Sequence, residues 1–278
     1  MKQIFLRKDN NPCLLLIFGG WGSWPGLFSE YSFPDGYDVM LCYDYRSSGF
    51  NKDLLAGYGH VRIVAWSMGV KVASIIMSGA VLAPSVSCAD SIAVNGTMFP
   101  VDDSRGIPEN VFAGTLERMG APVLEKFLRR MCGKDLGYYK ERMHDGRYPL
   151  DRSVEDLKEE LASLRTFVQE NASCGTGFRW TAAVVGRGDL VFPAANQFRA
   201  WEGTGIRVVG TDCAHYDRDL FGSLLCCPEH FPVIPDSNSD VFQDSLSEVI
   251  PESTSEVVPS SLFDVIPSVA EGSESPRP

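Results

Sequence analysis

An α/β fold built on a mostly parallel sheet is what this sequence predicts, and three observations predict it. Short apolar or β-branched runs, at residues 13–18 and 61–66 for example, alternate with segments of helical period. One of these runs passes straight into a helix through a serine, in Ala65-Trp66-Ser67-Met68-Gly69. Between residues 97 and 175 the alternation stops, and helical segments follow one another with no strand between them. Strands separated by helices make parallel sheets. An all-helical insertion into such a fold has the form of a lid.

Taken in order, Cys13-Leu14-Leu15-Leu16-Ile17-Phe18 reads as a first buried strand, and Gly19-Gly20-Trp21-Gly22-Ser23 follows at once. No lysine completes a P-loop there, so the glycine-rich turn is either a plain turn or one that aims a backbone N–H at an oxyanion. Residues 37–45 form the next strand, with Asp44 at its C-terminal end and Arg46 beside it to hold the loop. Residues 61–66 form a strand, and Val70, Ala73, Ile76 and Met77 lie on one face of a helix running to about Gly79. Residues 91–94 are a short strand stopped at Asn95-Gly96. Residues 108–132 and 153–172 are expected as helices, with Pro108 in a first turn and Ser153 and Asp156 as a capping pair. Strands resume at 180–185, a helix opens at Phe192-Pro193, and 206–210 is the last strand. The expected organisation is therefore a core of residues 1–96 and 176–230 and a helical lid insertion of 97–175. A tail, 231–278, completes it.

That tail repeats every eight residues from Val233, Val241, Val249, Val257 and Val265, and is rich in Ser, Pro and acidic residues. Such repeats bury too little surface to fold alone, so disorder is expected. It carries nine acidic residues and Arg277, which leaves the remainder with 27 acidic and 24 basic of the chain's 36 and 25. A body so near neutrality makes nucleic acid an unsuitable partner. No apolar run reaches the roughly 20 residues of a membrane helix, and none resembles a signal peptide. Eight scattered cysteines, most of them within apolar runs, point to buried reduced thiols in a cytoplasm. With four histidines and no zinc-type spacing, no metal is expected.

Ser67, Asp189 and His215 each follow a strand, in the chain order Ser…Asp…His of α/β-hydrolases. A serine hydroxyl attacks only when an imidazole takes its proton, and the imidazole needs an acceptor on its other nitrogen. Ser67 as a mere helix N-cap is the plainer alternative. His60, His144 and His230 read as structural, and Asp44 and Asp212 are the rivals of Asp189. The backbone N–H groups of Trp21 and Met68 are the expected oxyanion donors.

The segments I-F-G-G-W-G, L-C-Y-D-Y-R, V-A-W-S-M-G, A-V-N-G-T, D-D-S-R-G-I-P, F-A-G-T-L-E, R-R-M-C-G and F-P-A-A-N-Q together span about Leu14 to Phe221. They resemble the BioG-type pimeloyl-acyl-carrier-protein methyl ester esterases of biotin synthesis. The resemblance implies hydrolysis of the methyl ester of the pimeloyl carrier-protein thioester, with methanol released and no cofactor. It implies Ser67 as nucleophile, Asp189 and His215 as its partners, and Trp21 and Met68 in the oxyanion loop. The tail has no counterpart in the resemblance. Competing readings are a hydrolase or thioesterase for another acyl ester, and a non-catalytic binding protein of the same fold; the complete triad counts against the last.

The lid bears on the partner independently. Residues 126–147 carry seven basic residues, among them Arg129, Arg130, Arg142 and Arg147, against three acidic ones. A basic lid suits an acidic acyl carrier protein, whose approach it would steer; an ordinary solvated helix face is the alternative.

Overall fold

The structure is a computed structural model, and it describes residues 1–79, 86–144, 147–175 and 177–226. The chain divides into Met1–Val233 and Ile234–Pro278, and the expectation for the repeat tail lies outside the described residues.

The strands are β1 (Lys2–Arg7), β2 (Cys13–Phe18), β3 (Tyr37–Tyr43), β4 (His60–Trp66), β5 (Ser87–Val94), β6 (Ala182–Gly186) and β7 (Arg207–Thr211). They form one sheet in the order β1-β3-β2-β4-β5-β6-β7. All neighbours are parallel except β1, which runs antiparallel to β3 at the edge. Strand β2 is apolar throughout, and β4 is so except at His60 and Arg62, because both faces of the sheet are covered. Leu14, Leu16, Phe18, Ile63 and Ala65 pack into one core, and Leu15, Ile17, Val64 and Trp66 into the other. This alternation follows from side chains pointing to opposite faces at successive residues. The sequence reading did not anticipate β1, whose residues are only partly buried.

The helices are α1 (Pro25–Phe28), α2 (Met68–Ser78), α3 (Glu109–Glu117), α4 (Ala121–Cys132), α5 (Leu136–His144), α6 (Val154–Glu170), α7 (Ala194–Trp201) and α8 (Arg218–Cys226). Four of them, α3 to α6, lie in sequence between β5 and β6. The single helix expected over 108–132 is two helices. Gly120 is extended (φ −174°), and Pro122, which lacks an N–H and clashes with the carbonyl four residues back, has to stand in a first turn. Pro108 is the residue before α3 rather than part of its first turn. At α6 the capping pair is present: Asp156 N–H donates to Ser153 Oγ (3.1 Å), and Ser153 N–H donates to Asp156 Oδ2 (3.0 Å). Helix α5 was not anticipated. Among the described residues no helix is long and apolar enough to cross a membrane. Among the described cysteines only Cys42, Cys132 and Cys213 are buried; Cys88, Cys174 and Cys226 are exposed, contrary to the expectation of mostly buried thiols.

The edge of the sheet is anchored by one carboxylate. Asp38 is fully buried in β3; it accepts the N–H groups of Asp9 (2.9 Å) and Asn11 (3.1 Å), Lys8 Nζ (2.9 Å) and Tyr58 OH (2.7 Å). Burial alone would raise its pKa; the Lys8 and Tyr58 bonds and the two N–H donors outweigh burial and hold it well below the usual carboxylate range. Its stabilisation is therefore complete at neutral pH and is lost as pH falls through the depressed folded value. Asp38→Ala is expected to cost about 3 kcal/mol in urea unfolding at neutral pH, because it strands several buried donors. The difference from the parent should narrow as pH falls below the ordinary aspartate range, with turnover per folded molecule unchanged throughout.

Candidate active site

The β4–α2 turn lifts Ser67 out of the sheet. Its backbone has φ 59° and ψ −129°, a conformation that L-residues avoid and that only a fixed surrounding maintains. Two glycines let the chain pass so closely. A Cβ on Gly69 would lie 2.4 Å from Gly19 O, and one on Gly96 would lie 2.3 Å from Ser67 O. Ala65, the small residue at the first motif position, is fully buried at the crossing.

The last strand's loop brings His215 to this turn. His215 Nε2 is 2.9 Å from Ser67 Oγ, and His215 Nδ1 is 2.8 Å from Asp189 Oδ2. Ser67, Asp189 and His215 are all at most 5% exposed, so the three-residue relay sits in a medium of low dielectric, where each hydrogen bond is strong. With Asp189 as the acceptor at Nδ1, that nitrogen carries the hydrogen and Nε2 is free to accept the serine proton. Asp189 is itself fixed: its Oδ1 accepts the N–H groups of Val191 and Phe192 (both 2.8 Å), and its Oδ2 accepts Gln197 Nε2 (2.9 Å). The Phe192 ring stacks on the imidazole, centroids 5.7 Å apart and nearly coplanar in orientation.

The rival acids lie elsewhere. Asp44 bonds Arg46 through both oxygens (2.8 Å each) and pairs with Lys2 (2.9 Å), the loop-holding role expected of it. Burial raises Asp44, and the Arg46 and Lys2 bonds outweigh it, so its carboxyl lies well below the usual range. Asp212 is exposed beside Arg187. His60 and His144 stand apart from Ser67, at the start of β4 and the end of α5, and His230 lies outside the described residues.

Several positioning residues were not singled out from sequence. Asn95, read only as a strand stop, is fully buried with φ 45°. Its Nδ2 donates to Ala214 O and His215 O (2.9 Å each), and its Oδ1 accepts Gly186 N–H (2.7 Å). It thus ties the loop of the histidine to the strand end that precedes the aspartate. Trp66 Nε1 adds a bond to His215 O (2.9 Å). An asparagine directly after a buried strand, where the chain's chemistry collects, was the available clue.

An apolar pocket opens over Ser67, lined by Trp21, Met68, Phe112, Phe127 and Leu161, with Arg130 as its cation. Among the described residues, the N–H groups of Trp21 and Met68 donate to no other group. A larger cavity, about 370 Å³ and lined by Met1, Tyr45, Arg46 and Phe167, contains none of the three relay residues. The basic residues diverge. Arg129 is exposed and pairs with Glu125 (2.9 Å), and Arg147 is exposed over the Tyr148 ring. Arg142, expected to face a partner, is buried, donating to Gly26 O and Glu30 (3.2 Å each); its charge is used inside the protein. Among the described residues no cluster of His, Cys, Asp and Glu is arranged to hold a metal.

A buried serine–imidazole–carboxylate relay beneath an apolar pocket can transfer an acyl group to water. The chain is 32% identical to BioG from Haemophilus influenzae, whose crystal structure superposes with a TM-score of 0.70 over 82% of this chain and 100% of that one. It shares its fold with MGS-M2, an alpha/beta hydrolase enzyme from a deep-sea metagenome library, at 13% identity and a TM-score of 0.53, covering 81% of this chain and 91% of that one. A relative from Bacteroides fragilis, named a malonyl-[acyl-carrier protein] O-methyltransferase, is 38% identical over 215 residues, covering 77% of this chain and 41% of that one. The chain therefore spans about two fifths of that relative's length. The family described as pimeloyl-ACP methyl esterase BioG matches residues 1–225, and the chain belongs to it.

Proposed function

We propose that this protein is a serine esterase that hydrolyses the methyl ester of pimeloyl-acyl-carrier protein in biotin synthesis. The observation that carries the reading is the hydrogen-bonded Ser67–His215–Asp189 relay at the floor of an apolar pocket, in a chain of this family. Ser67 Oγ attacks the ester carbonyl while His215 Nε2 takes its proton. The carbonyl oxygen, now negative, meets the N–H groups of Trp21 and Met68. The imidazolium returns the proton to the departing oxygen, methanol leaves, and Ser67 carries the pimeloyl group through a new ester bond. Water, deprotonated by the same imidazole, then cleaves that ester and leaves a free carboxylate. No cofactor enters these steps. The apolar pocket walls suit the methylene chain, since buried CH₂ groups gain about 0.8 kcal/mol each.

Helices α3 to α6 serve as the lid, and residues 1–96 and 176–230 as the core beneath it. Arg129, Arg130 and Arg147 present positive charge to an acidic carrier protein; Arg142 is withdrawn from that surface. The setting is cytoplasmic, where carrier-bound acyl chains are made. Exposed charge pairs contribute only about 0.2–1 kcal/mol each, so a double reversal is the useful test. Arg129→Glu with Arg147→Glu is expected to lower kcat/KM for the carrier-bound ester about 3- to 30-fold, less at high salt. Hydrolysis of a small free ester should scarcely change. Equal losses on both substrates would refute the docking surface.

A further inference from the structure

The oxyanion loop is held from the helical insertion. Glu160, on α6, is fully buried, and its carboxylate lies among groups that all donate: Gly22 N–H (3.1 Å to Oε2), Tyr45 N–H (3.0 Å to Oε1) and Arg152 Nη1 (2.8 Å to Oε2). Arg152 in turn donates Nη2 to Ser23 O (2.9 Å), and its side chain is 7% exposed. One turn earlier on the same helix, Leu157 O accepts Trp21 Nε1 (2.8 Å). Three consecutive residues of the loop, Trp21, Gly22 and Ser23, are therefore each tied to α6 or to the arginine paired with it. The Gly22 N–H turned into Glu160 fixes the peptide plane next to the one whose N–H, that of Trp21, would meet the oxyanion. Gly22 itself has φ 77°, so this stretch of backbone has little intrinsic preference and takes its direction from its partners.

A buried carboxylate is a demanding device for mere packing. Taking it out of water is unfavourable, and an apolar pair of similar volume would stabilise the core as well or better. We propose that Glu160, with Arg152, is a positioning residue for the reaction: it sets the oxyanion loop from the lid, so that the hole is complete only when α6 is seated. This inference rests on the serine-esterase reading above. It makes the lid part of the transition-state machinery as well as a cover over the acyl chain.

The test uses the full chain, with p-nitrophenyl butyrate as substrate, butylboronic acid as a mimic of the tetrahedral state, and a fluorophosphonate to count reactive Ser67. In the variant Glu160→Leu/Arg152→Met the ion pair is replaced by apolar groups, and the protein is expected to fold. Its kcat per labelled serine should fall about 10- to 100-fold, part of the loss seen on removing one oxyanion donor. KM should stay within about threefold, and boronate affinity should fall by the same factor as kcat/KM. A purely structural role would instead alter the urea midpoint and leave kcat per labelled serine within about twofold, which would overturn the proposal. Should that variant fail to fold, Glu160→Gln decides. One amide oxygen cannot serve donors on both sides, so a kcat loss of about 3- to 10-fold is expected, and an unchanged kcat overturns the proposal. An unmodified protein that neither takes the fluorophosphonate nor cleaves the ester contradicts the esterase reading itself, before any variant is compared.

Discussion

Ser67→Ala is expected to abolish turnover, by on the order of 10⁴-fold or more, with no loss of fold. The change removes one oxygen that bonds only His215 Nε2 among the described contacts. The backbone strain at φ 59° is the same for alanine as for serine, so the elbow has no new reason to relax. His215→Ala should be nearly as damaging, because without the imidazole the serine proton has no acceptor. Combining the two should cost hardly more than either alone, since both act in one step. The measurement is kcat/KM on ester substrate for the two single variants and the double, alongside thermal unfolding. Losses that multiply in the double variant would mean that the two groups act independently.

The next largest effect belongs to the acid. Asp189→Asn is expected to lower kcat about 10³- to 10⁴-fold, because the amide can turn its NH₂ toward His215 Nδ1 and force the hydrogen onto Nε2. An Nε2–H cannot take the serine proton. The Val191 and Phe192 N–H groups still hold the remaining oxygen in place, so the loss would come from the tautomer and not from a collapsed loop. Asp44→Asn is the matched comparison. Asp44 is equally buried but serves Arg46 and Lys2, so the substitution should reduce stability and leave kcat within about threefold. If Asp44→Asn proved as harmful to kcat as Asp189→Asn, with both proteins folded, the acid would be misassigned.

The relay was legible in the sequence because the fold concentrates it. In a parallel α/β sheet the chemistry gathers at the C-terminal ends of strands, and Ser67, Asp189 and His215 each follow a strand recognisable by its apolar run. What escaped notice depends on partners far away in the chain. Glu160 is one acid among several on α6, and nothing local marks it as the one that meets Gly22 and Tyr45, over a hundred residues earlier. Arg142 belonged to a basic stretch with the composition of a solvated face, yet its guanidinium turns inward to Gly26 O. Asn95 looked like punctuation because its three bonds reach residues about ninety or more positions later. Strand β1 has neither clean alternation nor a continuous apolar run, because its residues are half-buried on both faces at the sheet edge. Helix α5 begins Leu136-Gly137-Tyr138-Tyr139, with glycine and aromatic residues that blur the helical period.

The central claim concerns which bond is cut, and a carrier protein loaded with monomethyl pimelate tests it directly. The substrate offers two esters of different kind: the methyl ester at the far end of the chain and the thioester to the carrier. Mass spectrometry of the carrier protein after incubation distinguishes them. The account predicts pimeloyl-carrier protein with the thioester intact, methanol released in equal amount, and no product from the Ser67→Ala protein. Recovery of the free carrier thiol with methyl pimelate would make the protein a thioesterase and contradict the account.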